Sequence, residues 1–266
     1  MKELYRATGI QRILSTNSIL EADDLAIETM LRLHDKNGTF ASLLGTPSDL
    51  KALYVGHCIT EGYGRAEYND IVIDLTLEGG YEITSKTTVL KGTNQQNPQR
   101  IVTSSCGACN APGLDQLIDG LPLYVGTHST VDLTMLNQGL GEMKSLQTGF
   151  QKTGGMHGAA IMHPTDGILG VAEDIGRHNA VDKVVGIASL KGIDNEGNIL
   201  LLSGRCGWDI VAKAARSGIG TIVCVGACST LAADAARVLQ MRIYAFVKPN
   251  HCVAIGTHAT SHNDKP

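Results

Sequence analysis

Aromatic side chains are scarce in this chain of 266 residues: three Phe, one Trp and seven Tyr, about 4% of the total. The core must therefore be aliphatic, drawn from Val, Ile, Leu and Ala, and a hydrophobic content of 43% is ample for it. An excess of one charge is also missing. The net charge of −4 gives no basic surface for nucleic acid and no membrane-binding face. No apolar run approaches the roughly 20 residues of a membrane span. No apolar signal core follows Met1-Lys2-Glu3-Leu4-Tyr5-Arg6. The expectation is a cytoplasmic chain with neither nucleic acid nor membrane among its partners. Neither G-x-G-x-x-G nor G-x-x-x-x-G-K-[ST] occurs in the context a nucleotide site needs. The cysteines number seven, an odd count scattered over a long chain, which excludes a secreted disulfide framework.

What is there is organised in two parts behind an arm. Residues 1–20 are polar and aperiodic and are expected to be a loose N-terminal arm. Residues 21–152 read as an α+β part. They hold strands around an Asn37-Gly38 turn, a helix opened by Thr46-Pro47-Ser48-Asp49, and a strand pair across Gly79-Gly80. Leu133, Leu136, Leu140, Met143 and Leu146 then fall at three- and four-residue spacings, the stripe of a helix with one apolar face. With Thr153-Gly154-Gly155 as the joint, residues 153–266 read as an α/β part: a hairpin around Thr165-Asp166-Gly167, then strand-then-helix units, with Arg242 to Phe246 as the last strand. The fold class expected is α/β, α+β overall.

Cys106-x-x-Cys109, within Thr103-Ser104-Ser105-Cys106-Gly107-Ala108-Cys109-Asn110, carries the most chemistry. Its small, polar surroundings read as an exposed loop. Two thiols so spaced can hold a metal, exchange disulfides or carry sulfur as a persulfide. Zinc needs about four ligands, and only Cys224, Cys228 or a histidine could complete a set; Cys224 lies in the apolar strand Thr221 to Val225. A zinc deaminase would need His-x-Glu and Pro-Cys-x-x-Cys, and neither is present. A thioredoxin-like pair sits at a helix start, whereas Asn110-Ala111-Pro112-Gly113 breaks any helix here. No structural metal is expected.

Three strand-to-helix turns form a second constellation: Glu173-Asp174-Ile175-Gly176-Arg177-His178-Asn179, Ser203-Gly204-Arg205, and Val225-Gly226-Ala227-Cys228-Ser229-Thr230. Sheets of this kind bind ligands beyond the carboxyl ends of their strands. Helix starts and arginines suit phosphate. The plain alternative is that the glycines relieve backbone strain and the arginines pair with Glu173 or Asp209. His178, four residues before Asp182, could be oriented by it on one helix face. His157, at the start of an apolar strand, reads as structural.

Thr153-Gly154-Gly155-Met156-His157-Gly158-Ala159-Ala160, Glu173 through Lys183, Ser203-Gly204-Arg205, the cysteine loop and Thr46-Pro47-Ser48-Asp49-Leu50 with Glu61-Gly62 together resemble the FdhD/NarQ family of formate dehydrogenase accessory sulfurtransferases, over about residues 21 to 258. The resemblance implies a cytidine deaminase-like α/β sandwich without its zinc site, and a homodimer. It implies sulfur taken from a cysteine desulfurase as a persulfide on Cys106, with Cys109 as partner. The sulfur would pass to the molybdenum or tungsten cofactor carrying two pterin guanine dinucleotides, Mo-bis(molybdopterin guanine dinucleotide), which GDP can mimic, for formate dehydrogenase or another such enzyme. The cofactor stretch maps to Phe246, Val247, Lys248, Pro249, Asn250 and His251, with Arg177, His178 and Arg205 as further contacts. Asn110 replaces a usual glycine, Ala227-Cys228-Ser229 a usual Ala-Pro-Thr, and Asn250-His251 a frequent Gly-Arg, which removes a fixed positive charge. Two other readings stay open: a non-catalytic carrier of that cofactor, and a Cys-x-x-Cys zinc or redox protein.

Overall fold

A computed structural model describes residues 4–64, 68–86 and 114–257. Cys106 and Cys109 lie outside the described residues. The chain opens with β1 (Tyr5–Ile13) and β2 (Ser18–Ala26), an antiparallel hairpin. This corrects the expected loose arm. Most of its side chains face water, so it lacks the apolar alternation that announces a half-buried strand. Its backbone ladder runs from Tyr5–Ala26 to Ile13–Ser18, and on its surface Arg12 pairs with Glu21 and, at 2.8 Å, with Asp23.

β3 (Thr29–Asp35), β4 (Gly38–Gly45), helix α1 (Leu50–Thr60), β5 (Ile71–Leu75) and β6 (Tyr81–Ser85) follow. The four strands form a sheet in the order β4-β3-β6-β5. Alternate residues Leu31, Leu33, Ala41, Leu43 and Ile83 meet Leu50, Leu53 and Tyr54 of α1 in one apolar cluster. Complete burial of a leucine such as Leu53 contributes about 1.5–3 kcal/mol. The start of α1 differs from expectation. Asp49 is left-handed (φ 51°) and its side chain makes no cap, while Thr46 and Ser48 are buried and serve another element.

Then come α2 (Leu114–Ile118), α3 (Leu133–Leu146), α4 (Thr148–Thr153), β7 (His157–His163), β8 (Gly167–Asp174), α5 (Arg177–Leu190), β9 (Ile199–Leu202), α6 (Trp208–Arg216), β10 (Thr221–Cys224), α7 (Thr230–Val238), β11 (Arg242–Lys248) and β12 (His251–Gly256). The six strands form one sheet, ordered β12-β11-β10-β9-β7-β8. β9, β10 and β11 are parallel, and β12 returns antiparallel to β11, so Arg242 to Phe246 is not the last strand as expected. The two faces of the sheet separate by the period of two that a strand imposes. Ala159, Ile161, Leu200, Leu202, Ile222 and Ile243 pack with α5, α6 and α7. Ala160, Met162, Ile199, Leu201 and Val223 pack with Leu136, Leu140 and Met143 of α3. The result is a mixed α/β sandwich, the class expected. Leu146, counted in the apolar stripe, is exposed. α3 packs on the C-terminal sheet although it precedes residue 153, so the sheet draws in part of the segment assigned to the N-terminal half.

The two sheets meet through α1 and α5. A methyl group on Gly56 would lie 1.7 Å from the Asp182 carbonyl oxygen, and one on Gly186 would lie 1.9 Å from that of Ala52. Only hydrogen at these two positions lets the helix backbones touch. Asp182, wholly buried in this contact, binds His57 Nδ1 at 2.8 Å, accepts from Thr60 Oγ1 at 2.6 Å and pairs with Lys213 Nζ at 2.7 Å.

Candidate functional site

The carboxyl ends of β8, β9, β10 and β11 lie along one edge of the six-stranded sheet. The amino end of β7 joins them, because His157 pairs with Asp174 and Ala159 with Leu202. The three turns singled out in the sequence therefore stand side by side. Hydrogen bonds tie the second turn to β7 and to the third turn, and the third turn to β11: Ser203 N–H to Gly158 O at 3.0 Å, Gly226 N–H to Gly204 O at 3.0 Å, and Phe246 N–H to Gly226 O at 3.0 Å.

Two of the turns are built chiefly as braces. Glu173 accepts from the N–H groups of Gly149 (2.9 Å) and Phe150 (2.7 Å), fixing α4. Asp174 accepts from Gly176 N–H at 2.8 Å and Thr46 N–H at 3.0 Å, and pairs with the fully buried Lys183 at 2.7 Å. Lys183 donates in turn to Thr46 O, Ser48 Oγ and Glu173 O at 2.9–3.1 Å. The Thr46-Pro47-Ser48 segment and the Glu173-to-Lys183 run are thus two sides of one joint. Ser229 caps α7 by accepting from Ala232 N–H at 3.2 Å. Asp209 occupies the first turn of α6, so these two helix starts already hold acceptors of their own.

The cations of this edge are less fully engaged. Arg205 is exposed on the β9–α6 turn. Arg177, half-buried, reaches Asp209 at 3.7 Å, while its buried Nε has no hydrogen-bond partner among the described residues. His178 pairs with Asp209 and not with Asp182, which corrects the expected i, i+4 arrangement; Asp182 is engaged at the α1–α5 contact. Burial lowers the pKa of His178 against the pull of Asp209, and Arg177 adds to the lowering. His157, read as structural, is part of this edge. Its ring stands against Gly204, where an added methyl would lie 3.1 Å from Nδ1. Burial first, then Arg177 and Arg205, lowers its pKa. A ring held neutral between two guanidiniums is suited to an anion that restores its proton. The signal in the sequence was its position, at the first residue of a strand after a glycine pair.

Phe246 is the most unusual residue of the edge. Its φ is +51°, and the register between β11 and β12 slips between Ala245 and Lys248. That bulge sends its N–H to Gly226 and leaves the ring 44% exposed. Val247, by contrast, is buried in the α3-side cluster, so its side chain belongs to the core and not to a guest. Lys248, Pro249, Asn250 and His251 are exposed where β11 turns into β12. Lys248 O accepts from Asn137 of α3 at 3.1 Å, and His251 Nδ1 lies 2.9 Å from Asn250 Oδ1. Among the described residues no group of three or more His, Cys, Asp or Glu is placed to hold a metal ion. No helix among them is long and apolar enough to cross a membrane.

A family model, that of the FdhD/NarQ family, matches residues 26–261. The chain belongs to the FdhD/NarQ family. Both thiols of the cysteine loop and the whole carboxyl edge fall inside that match. Relatives of this FdhD/NarQ chain include the sulfur carrier protein FdhD of Thermoplasma volcanium, 34% identical over 254 residues, covering 90% of this chain and 89% of the relative. The protein of the same name from Corynebacterium efficiens is 30% identical over 270 residues, covering 94% and 96%. The crystal structure of a candidate formate dehydrogenase accessory protein from Desulfotalea psychrophila superimposes with a TM-score of 0.72 at 20% identity, over 96% of this chain and 98% of that one. It shares the FdhD/NarQ chain's fold.

Proposed function

We propose that this FdhD/NarQ chain is a sulfur carrier in the maturation of formate dehydrogenase or another molybdenum or tungsten bis-pterin enzyme. In this reading the Cys106 thiolate attacks the outer sulfur of a cysteine desulfurase persulfide, keeps it as Cys106–S–SH, and releases the donor thiolate; Cys109 is its partner. The acceptor is the molybdenum cofactor with two guanine dinucleotides, docked at the carboxyl edge. The chain would act as a homodimer in the cytoplasm.

The observation that best supports cofactor docking is Phe246. A non-glycine residue held at positive φ stores about 1–3 kcal/mol of strain, and such strain collects at ligand sites. Here it presents an aromatic face beside cations. A base or pterin ring can stack on that face while Arg177, Arg205 and Lys248 meet phosphates, the guanidiniums as planar forks. Relatives named sulfur carriers, similar along nearly their whole length, support the chemistry given to the cysteine loop.

The test is reconstitution. Desulfurase and cysteine are expected to add about 32 Da, one sulfur, to the chain, removable by thiol. Cys106→Ala should lose that sulfur and the support of client activity together. Full client activation by the Cys106→Ala/Cys109→Ala chain would leave only a cofactor-binding role and overturn the sulfur-carrier reading.

A further inference from the structure

The first two residues of one helix converge on a carboxylate of the next. α5 begins with Arg177 and His178, and Asp209 is the second residue of α6. Both helices pack on the same face of the six-stranded sheet. Asp209 Oδ2 lies 3.7 Å from Arg177 Nη2 and pairs more closely with His178 Nε2. The Asp209 side chain is 13% exposed and that of His178 12%, so both are nearly out of water. A carboxylate so shielded needs donors or cations about it, and the starts of α5 and α6 add the positive ends of two helix dipoles.

Gly207 shapes this contact. It caps α6 in an extended conformation (φ −94°, ψ 174°) that any residue adopts, so backbone freedom is not what glycine supplies there. It supplies space. A methyl group at Gly207 would lie 2.3 Å from Asp209 Oδ1, and within 4 Å it would meet nothing else but Asp209 Cγ. The missing side chain leaves room for the carboxylate over the helix start. The contact also differs from the brace at Asp174, which is held by the Gly176 and Thr46 N–H groups and the buried Lys183. The partners of Asp209 are the side chains of Arg177 and His178, both on the carboxyl edge. Asp209 engages one nitrogen of Arg177; the buried Nε has no hydrogen-bond partner among the described residues. A guanidinium carries five N–H donors, so most of the fork is left over.

We propose that Asp209, given room by Gly207 and gripped by His178, is the positioning residue that fixes the Arg177 guanidinium for the phosphates of a docked nucleoside diphosphate. A free arginine loses rotamer freedom when it grips a ligand, and a fork already held in place avoids much of that cost. The inference rests on the docking reading of the carboxyl edge and adds to it a residue that touches no ligand.

The experiment titrates the full chain with GDP and with guanosine by calorimetry. Gly207→Ala keeps the carboxylate but takes its place. It should weaken GDP binding about tenfold, the worth of one charge-assisted hydrogen bond, and leave guanosine binding unchanged, because guanosine has no phosphate for Arg177. Asp209→Ala should show the same selective loss. Adding Arg177→Ala to either variant should cost little more, since all three changes act through one guanidinium. GDP binding that is unchanged or tighter in both single variants would overturn the inference. So would an equal loss for guanosine, which marks a general distortion, or losses that multiply with that of Arg177→Ala. An unsubstituted chain that binds no GDP would instead remove the docking reading, and this inference with it.

Discussion

Phe246 shows how a single residue can lose stability for a surface. Its backbone angle suits glycine, yet its ring is half-exposed, so little burial compensates the strain. Phe246→Gly is therefore expected to leave the melting temperature unchanged or raised, while affinity for GDP falls by about 1–3 kcal/mol, the usual worth of one stacked base. Thermal melts and calorimetric titration read the two effects on one sample; unchanged GDP affinity would remove Phe246 from the site. His157 gives a pH test of the same edge. Its pKa is lowered by burial, then by Arg177 and Arg205, and a diphosphate docked as proposed would raise it again. GDP binding should take up a proton and tighten as pH falls from about 7 towards 5. Calorimetry in buffers of different ionisation enthalpy measures that uptake, and His157→Asn should abolish it.

At the scale of elements the decisive contact is α1 against α5. Alanine in a helix ordinarily gains about 0.5–1 kcal/mol over glycine. At Gly56 or Gly186 the added methyl would overlap a backbone carbonyl that cannot step aside, so Gly56→Ala and Gly186→Ala should each destabilise by about 3 kcal/mol or more. Gly141 on α3 is exposed and a methyl there meets nothing within 4 Å; Gly141→Ala should show the ordinary gain. Urea unfolding of the three variants compares them directly, and equal behaviour would mean the two helices are not in backbone contact. Element positions were largely legible: the strand-then-helix rhythm from Ile168 to Phe246 follows from apolar runs and turn residues. β1 and β12 were not. β1 is mostly exposed and no residue of β12 is fully buried, so no buried face imposes a pattern.

Over the whole molecule, the halves are joined by buried charge as well as by glycine. Burial alone would raise the pKa values of Asp182 and Glu61, but Lys213 and His57 outweigh it and both are lowered. Carboxylates lowered on folding stabilise the protein above their unfolded pKa values of about 4, and that contribution fades as pH falls through and below this range. Stability measured by denaturant should thus drop steeply on the acid side of pH 4. Lys213→Met, which leaves Asp182 buried without its main cation, should cost about 3–5 kcal/mol near neutrality; a loss under 1 kcal/mol would show the pair to be dispensable.

The amino-acid order by itself determined the family motifs, the aliphatic layers and the edge at which the turns would collect, because these depend on local periodicity and on residue types close together in the chain. Tertiary structure alone decided their division of labour. Asp174 and Lys183 became a brace for Thr46 and Ser48, His178 turned to Asp209, and Cys206 came to lie beside Cys228. The reason is that partners far apart in sequence are chosen by strand register and by which backbones can touch, and neither is written in any short stretch of residues.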